Sequence, residues 1–332
     1  MNRLKMIDIL QSILPGTDAS SSSVGQSECV VFKDGVAYSF NDQIAVRADA
    51  PFPFDGAIEA SKFLLALKTM DKEEVNVKQK DNAFVVSAGK RRSTLPIDHK
   101  IELPISIIEQ PRRWREAPEG FTDALAVVAR TAGRAENQYT LTCVHITHDC
   151  LEATDNVQLI RWPMETGVRA STLISSRAAL ILSKYNVVET GLTNQWIHFK
   201  DDAGLVISVR THEAEYPDMT EYLVVEGSPV LFPPDIGEVA GRAAAFLDTR
   251  KTDKIKIQLE EGRMFVEGGG IGAEYEERGK VDYDGPPIAF FIHPVVCQKL
   301  AKEARETFIT EDRIKVITDN YEYAAVLQKV KE

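Results

Sequence analysis

The feature that most restricts what this chain can fold into is a repeat. Six segments place apolar residues at helical spacing: Asn2–Leu14, Ala60–Met70, Phe121–Arg134, Ile174–Lys184, Pro234–Leu247 and His293–Arg305. Leu4, Ile7, Leu10 and Leu14 make one such stripe, and Phe121, Leu125, Val128 and Ala132 another. The starts recur about every sixty residues, the period of stacked supersecondary units. Ser61 and Ser175 or Ser176 can cap their helices, and Pro234 and Pro294 stand where a first-turn proline is tolerated.

Each helix is followed by β-forming sequence centred on an acidic turn. The turns are Asp34-Gly35, Asp81-Asn82, His148-Asp149, Asp201-Asp202, Glu261-Gly262 and Asp319-Asn320. Asp-Gly between β-formers is a strong hairpin signal. One helix with a few antiparallel strands is too small to close a core, whereas two units make an ordinary domain. Pro-rich, charged IIEQPRRWREAPEG (Ile107–Gly120) and VVEGSP (Val224–Pro229) read as linkers. The expectation is an α+β chain of three tandem domains of like topology, 1–108, 119–225 and 228–332.

Charge is unevenly spread along the 332 residues. The net charge is −11, which argues against coating by nucleic acid through bulk charge, yet five of the six helices are net positive. Their cations are Arg3, Lys5, Lys62, Lys68, Arg130, Arg134, Arg177, Lys184, Arg242, Lys299, Lys302 and Arg305. Arg130 with Arg134, and Arg177 with Lys184, are spaced to share a helix face away from the apolar stripe. If the helices face one surface, that surface binds phosphates without reading bases. No apolar run reaches the length of a membrane span, and the amphipathic N-terminus does not read as a signal peptide. Four cysteines in a chain of this length are no disulfide framework, so a reducing cytoplasm is expected.

The whole chain resembles the bacterial-type DNA sliding clamp, the beta subunit of the replicative DNA polymerase. The resemblance rests on SFNDQIAVRADAPFPFDGAIEASKFLLALKTM (Ser39–Met70), STLP (Ser93–Pro96), LEATDNVQLIRWPM (Leu151–Met164), AEYPDM (Ala214–Met219) and IAFFIHPVVCQKLAKEA (Ile288–Ala304), in order over three domains. It implies a non-enzymatic, cofactor-free processivity factor. Two subunits would close head to tail into a ring, with helices lining the hole, around duplex DNA. Partners would be the polymerase and a clamp loader.

The resemblance further implies a partner-peptide cleft of Leu141, Thr154, Asp155, Asn156, Val157, Gln158, Leu159, Pro217, Tyr222, Ala325, Val326 and Leu327. It implies a DNA contact at Tyr139. It places the subunit contact at Lys90, Arg91, Arg92 and Leu95 against Phe246 and Leu247. The family's Gly-His-Arg is Asn156-Val157-Gln158 here, Glu221 replaces an arginine, and the tail reads LQKVKE (Leu327–Glu332). These departures imply a dedicated partner polymerase, as in a virus or mobile element.

Three other signals point elsewhere. CVHITHDC (Cys143–Cys150) has four zinc-type side chains at a spacing foreign to zinc fingers, so no metal is expected. EGGGIG (Glu267–Gly272) lacks the Gly-Lys-Ser/Thr of a phosphate loop and reads as a flexible strand connection. Thr154-Asp155 reads as a turn in which Asp155 bonds its own backbone. The alternatives in function are an enzyme with a non-local active site and a β-rich scaffold that binds proteins but not DNA.

Overall fold

The structure, a computed structural model, describes residues 1–18, 24–134, 136–248, 252–270 and 272–330, without the side chains of 136–138, 299 and 301–303. The chain is α+β, with six helices among the described residues: α1 (Arg3–Ile13), α2 (Ala60–Thr69), α3 (Phe121–Ala129), α4 (Ser176–Leu182), α5 (Ile236–Ala244) and α6 (Pro294–Glu303). Each falls inside one of the six periodic segments. Two compact units emerge, one of residues 1–126, 146–148 and 165–214, the other of 127–145, 149–164 and 215–332.

In the first unit α1 begins where the Asn2 side chain accepts from the Lys5 N–H, and it buries Met6, Ile7, Leu10 and Ile13. The capped end satisfies a donor that the helix itself cannot. α1 packs on α2. An antiparallel sheet of eight strands runs Gly56–Glu59, Cys29–Lys33, Val36–Phe40, Ile44–Asp49, Val206–Arg210, Trp196–Asp201, Val187–Leu192, Arg115–Glu116. Val46 faces Ile207, so sequence from the first and second expected domains shares one sheet. A second sheet holds Asn76–Lys80, Ala83–Ala88 and Arg91–Pro96. Phe32 and Phe84 from the two sheets meet Phe63 of α2 edge to face, at 6.0 and 5.1 Å between centroids. Such pairs add to the burial of large rings and pin the sheets on the helix.

In the second unit a sheet runs Cys143–Ile146, Cys150–Thr154, Gln158–Pro163, Glu322–Val326, Arg313–Ile317, Glu306–Ile309, Ser228–Pro229. Here Leu159 faces Ala324, joining second- and third-domain sequence. A five-stranded sheet holds Ala273–Lys280, Arg263–Gly270, Ile255–Glu260, Ile288–Ile292 and Gln328–Lys329, with α5 and α6 packed together beside it.

The acidic turns fall between sequential strands. Asp34 and Gly35 have φ of 52° and 76°, and Glu261 and Gly262 46° and 72°. Positive φ at both centres matches the right-handed twist of the flanking strands, which is why glycine takes the second place.

Several expectations need correction. α3 ends at Ala129 and α4 at Leu182, so neither Arg130 with Arg134 nor Arg177 with Lys184 shares a helix face. The Gly133 N–H is taken by the Leu141 carbonyl at 2.7 Å, which turns the chain out of α3. α5 starts at Ile236 and not at Pro234, with Asp235 before it. Ser61 does not cap α2: its hydroxyl donates to Glu59 Oε1 at 2.8 Å from inside the first turn. Ser175 and His293 do cap, accepting from Ala178 and Val295. Glu267–Gly270 belongs to a strand and is no loose connection. A Cβ at Gly268 would lie 2.0 Å from the Ala243 carbonyl oxygen, so glycine is what lets the end of α5 approach.

Candidate functional site

The helix cations divide by their local electrostatics. Lys62 Nζ lies 2.5 Å from Glu59, and Arg305 2.6 Å from Asp319. Arg242 is held by Glu277 at 2.7 Å, with Tyr275 and Glu238 beside it. The hydrogen bonds to Glu277 and to the Tyr275 hydroxyl raise the Arg242 pKa, and those from Arg242 and Tyr275 depress that of Glu277. By contrast Lys5, Lys68, Arg130, Arg134, Arg177 and Lys184 are exposed with no ion pair among the described residues. Arg3 is half-buried in α1, its Nε without a partner. Lys299 and Lys302 belong to α6, but their side chains lie outside the described residues.

α1, α2 and α4 share the first unit, where the Tyr185 hydroxyl, next to Lys184, donates to the Ser12 carbonyl at 2.9 Å. α5 and α6 belong to the second unit, with Arg130 and Arg134. Tyr139, in a 3₁₀ turn of that unit, is 46% exposed.

Eight of the twelve cleft residues surround one cavity of about 120 Å³: Thr154, Asn156, Val157, Gln158, Leu159, Tyr222, Ala325 and Val326. Asp155 does not line it. Its carboxylate accepts from the Val157 and Gln158 N–H groups and from Gln158 Nε2, at 2.8–2.9 Å. Asn156 takes a positive φ of 74°, a conformation asparagine tolerates. Buried Tyr323 donates to Gln158 Oε1 at 2.8 Å, and the Val326 N–H to the Val157 carbonyl at 2.8 Å. The turn is therefore rigid, and it leaves Val157, Tyr222 and Val326 each about half exposed around an apolar hollow. Leu141 and Leu327 are buried elsewhere, and Pro217 is exposed away from the lining.

Sequence reasoning missed Met219, Ala324 and Arg313 as lining residues. The Arg313 guanidinium sits 5.7 Å from the Tyr222 ring centroid, and only strand pairing (Arg313 against Val326) brings it there.

Beside Tyr216 and Thr220 lies an ionic cluster centred on buried Glu152. Glu152 accepts from His145 Nδ1 and Arg161 Nε, each at 2.8 Å. Burial alone would raise the Glu152 pKa; the hydrogen bonds from His145 and Arg161, with the charge of Arg161, outweigh it and hold the carboxyl below its ordinary value. His145 is thus committed to a carboxylate, and no group of three or more potential metal ligands occurs among the described residues.

Of the residues expected at a subunit contact, four lie at or beside a sheet edge and two follow a helix. Lys90, Arg91 and Arg92 are exposed at or before the edge strand Arg91–Pro96, while Leu95 is buried. Phe246, 39% exposed, and Leu247 follow α5, and Phe246 stacks on Tyr275 of the strand at the edge of the five-stranded sheet, Ala273–Lys280.

An α+β chain of paired helix-and-hairpin units, bonded across domain sequences into long antiparallel sheets, has the DNA sliding-clamp fold. No family model and no curated protein matches the sequence. Solved structures do match over their full length. A DNA polymerase sliding clamp from Pseudomonas aeruginosa superposes with a TM-score of 0.85 at 14% identity, covering 99% of both chains. A sliding clamp (DNA polymerase III subunit beta) from Bartonella birtlesii, bound to griselimycin, gives 0.87 at 15% identity over 99% of this chain and 98% of that one. The sliding clamp from Bacillus subtilis gives 0.84 at 13%, over 100% and 98%.

Proposed function

We propose that this protein is a sliding clamp: a non-enzymatic ring that encircles duplex DNA and tethers a DNA polymerase for processive synthesis. The observation that carries the reading is the end-to-end agreement of fold with DNA polymerase clamps. Exposed, unpaired cations on and beside α1, α2, α3 and α4, in a chain of net charge −11, support a phosphate-facing surface. Sliding requires such contacts to be weak and blind to sequence, because base-specific contacts would stall movement.

In this reading the chain forms three domains, 1–108, 119–225 and 228–332, and two copies close head to tail. Two open edges support that closure. The three-stranded sheet ends on Arg91–Pro96 and the five-stranded sheet on Ala273–Lys280. Paired between subunits, they would form a sheet as wide as the eight-stranded one within the chain. One side carries exposed Lys90, Arg91 and Arg92; the other carries exposed Glu274 and Glu276 alongside exposed Arg278 and Lys280, with Glu276 bonded to Arg278 at 2.7 Å. Such pairing also covers edges that invite aggregation when left open.

The hollow ringed by Val157, Tyr222 and Val326 takes an apolar anchor from the polymerase and from a clamp loader. The site of action is the compartment that holds the DNA, the cytoplasm of a bacterium or of a viral host.

Retention on DNA topology tests the proposal. Loaded protein stays on nicked circular duplex through gel filtration at high salt and is lost after linearisation. Equal retention on both forms, or on neither, refutes the ring.

A further inference from the structure

The linker-like segment Ile107–Gly120 does more than connect. Its strand Arg115–Glu116 pairs with Val187–Leu192, setting Arg115 against Thr190. Pro111 is wedged against Gly191, where a Cβ would meet the proline ring at 2.6 Å. Gly167 adopts φ +75° so close to the Glu116 carbonyl that a side chain would not fit. These contacts hold the segment over a hollow of about 610 Å³ within the first unit.

Arg112, Arg113, Arg115 and Arg169 all line that hollow, and Glu109 is the one carboxylate among its lining residues. None of the four arginines has an ion-pair partner among the described residues. Elsewhere the described arginines divide: seven have a carboxylate within 4.0 Å (Arg91, Arg161, Arg210, Arg242, Arg263, Arg278 and Arg305), and Arg3, Arg47, Arg92, Arg130, Arg134, Arg177 and Arg313 have none among the described residues. What sets the four apart is that they are gathered around one cavity whose lining supplies a single carboxylate. Like charges crowded together repel unless an anion joins them.

We propose that this hollow is a binding site for a compact run of phosphates, as carried by a nucleoside triphosphate. Guanidinium forks match phosphate oxygens in pairs, and the volume is that of a small-ligand pocket, far more than one phosphate needs. A compact polyphosphate concentrates charge enough to satisfy several forks at once. An acidic peptide spreads its carboxylates, with same-face side chains about 7 Å apart along an extended chain. The site is independent of encirclement, because it needs neither a ring nor a duplex.

The test uses the full chain with inorganic tripolyphosphate, dATP, a single-stranded oligonucleotide of about 12 nucleotides and a Glu-rich peptide, in calorimetry at low salt. Tripolyphosphate should bind, and the triple variant R112Q/R113Q/R169Q, all exposed residues, should weaken it by about tenfold or more with an unchanged melting temperature. If dATP binds as tightly as tripolyphosphate, the source is a free nucleotide; tighter binding of the oligonucleotide, whose phosphates are spaced as widely as the peptide's carboxylates, overturns the compact-phosphate reading. The inference is overturned if tripolyphosphate fails to bind at about 1 mM, if the triple variant binds it normally, or if the Glu-rich peptide binds as tightly. An Arg263→Gln control, at an exposed arginine outside the hollow and outside the DNA-facing set, should leave tripolyphosphate binding untouched. Failure here leaves retention on nicked circles unaffected, so the two proposals fail separately.

Discussion

Substituting Arg177 and Lys184 with glutamine should alter DNA binding, and substituting Arg242 and Arg305 should hardly do so. The difference follows from ion pairing. Arg177 and Lys184 have no carboxylate partner among the described residues, while Arg242 and Arg305 sit 2.7 and 2.6 Å from Glu277 and Asp319. A cation already neutralised within the protein releases no DNA counterion when a phosphate approaches. Each free cation that contacts duplex contributes about −0.9 to the slope of log K against log salt. The six exposed, unpaired cations of one protomer therefore set a slope of about −5 when all are engaged. R177Q/K184Q should flatten it by about 1.8 per protomer, and R242Q/R305Q by well under half of that. Fluorescence anisotropy with a labelled linear duplex, titrated at several salt concentrations, measures both slopes. Equal flattening by the two double variants would show that the internal pairs open freely on DNA and would refute the argument.

Val157→Asp should abolish binding of a partner polymerase's apolar peptide, while the melting temperature holds, because Val157 is half exposed; surface plasmon resonance reads the loss. Arg92→Glu should weaken self-association, and Arg92→Glu combined with Glu276→Arg should restore part of it; sedimentation velocity with no change in either variant counts against the edge pairing. Glu152→Ala strands Arg161 and His145 and should cost about 3 kcal/mol in urea unfolding. Because the Glu152 pKa is depressed in the fold, its contribution is present above the unfolded carboxylate range and is lost as pH falls through the folded value. His198 is wholly buried between Ser208 and Thr193, and burial pushes its pKa down to about 4. The unfolded chain takes up the proton first, so stability falls as pH drops from about 6.5 toward 4, by about 2 kcal/mol at pH 5. His198→Gln removes that component, and parallel pH profiles of the two proteins would rule it out.

All six helices, and the placing of the acidic turns between strands, were legible because they depend on local signals. Apolar spacing buries one face of a helix whatever it packs against, and Asp-Gly suits a positive-φ turn wherever it occurs. The end of α3 was not legible, because the competitor for its backbone is the Leu141 carbonyl, delivered by tertiary structure. The role of Gly268 was hidden for a similar reason, since the constraint is the end of another element. Within the cleft, the turn from Thr154 to Gln158 was readable as a turn. Arg313 was not, since it reaches Tyr222 only through the register of Arg313–Ile317 on Glu322–Val326.

The sequence by itself determined the period and the element types, since these rest on spacing and composition. Tertiary structure alone decided which cations are free. Whether a lysine or arginine finds a carboxylate depends on side chains far apart in the chain, such as Arg242 and Glu277, brought within hydrogen-bond distance by packing. It also decided where positive charge accumulates without compensation, because the arginines of the connecting segment meet Arg169 only when strand pairing folds that segment onto the sheet.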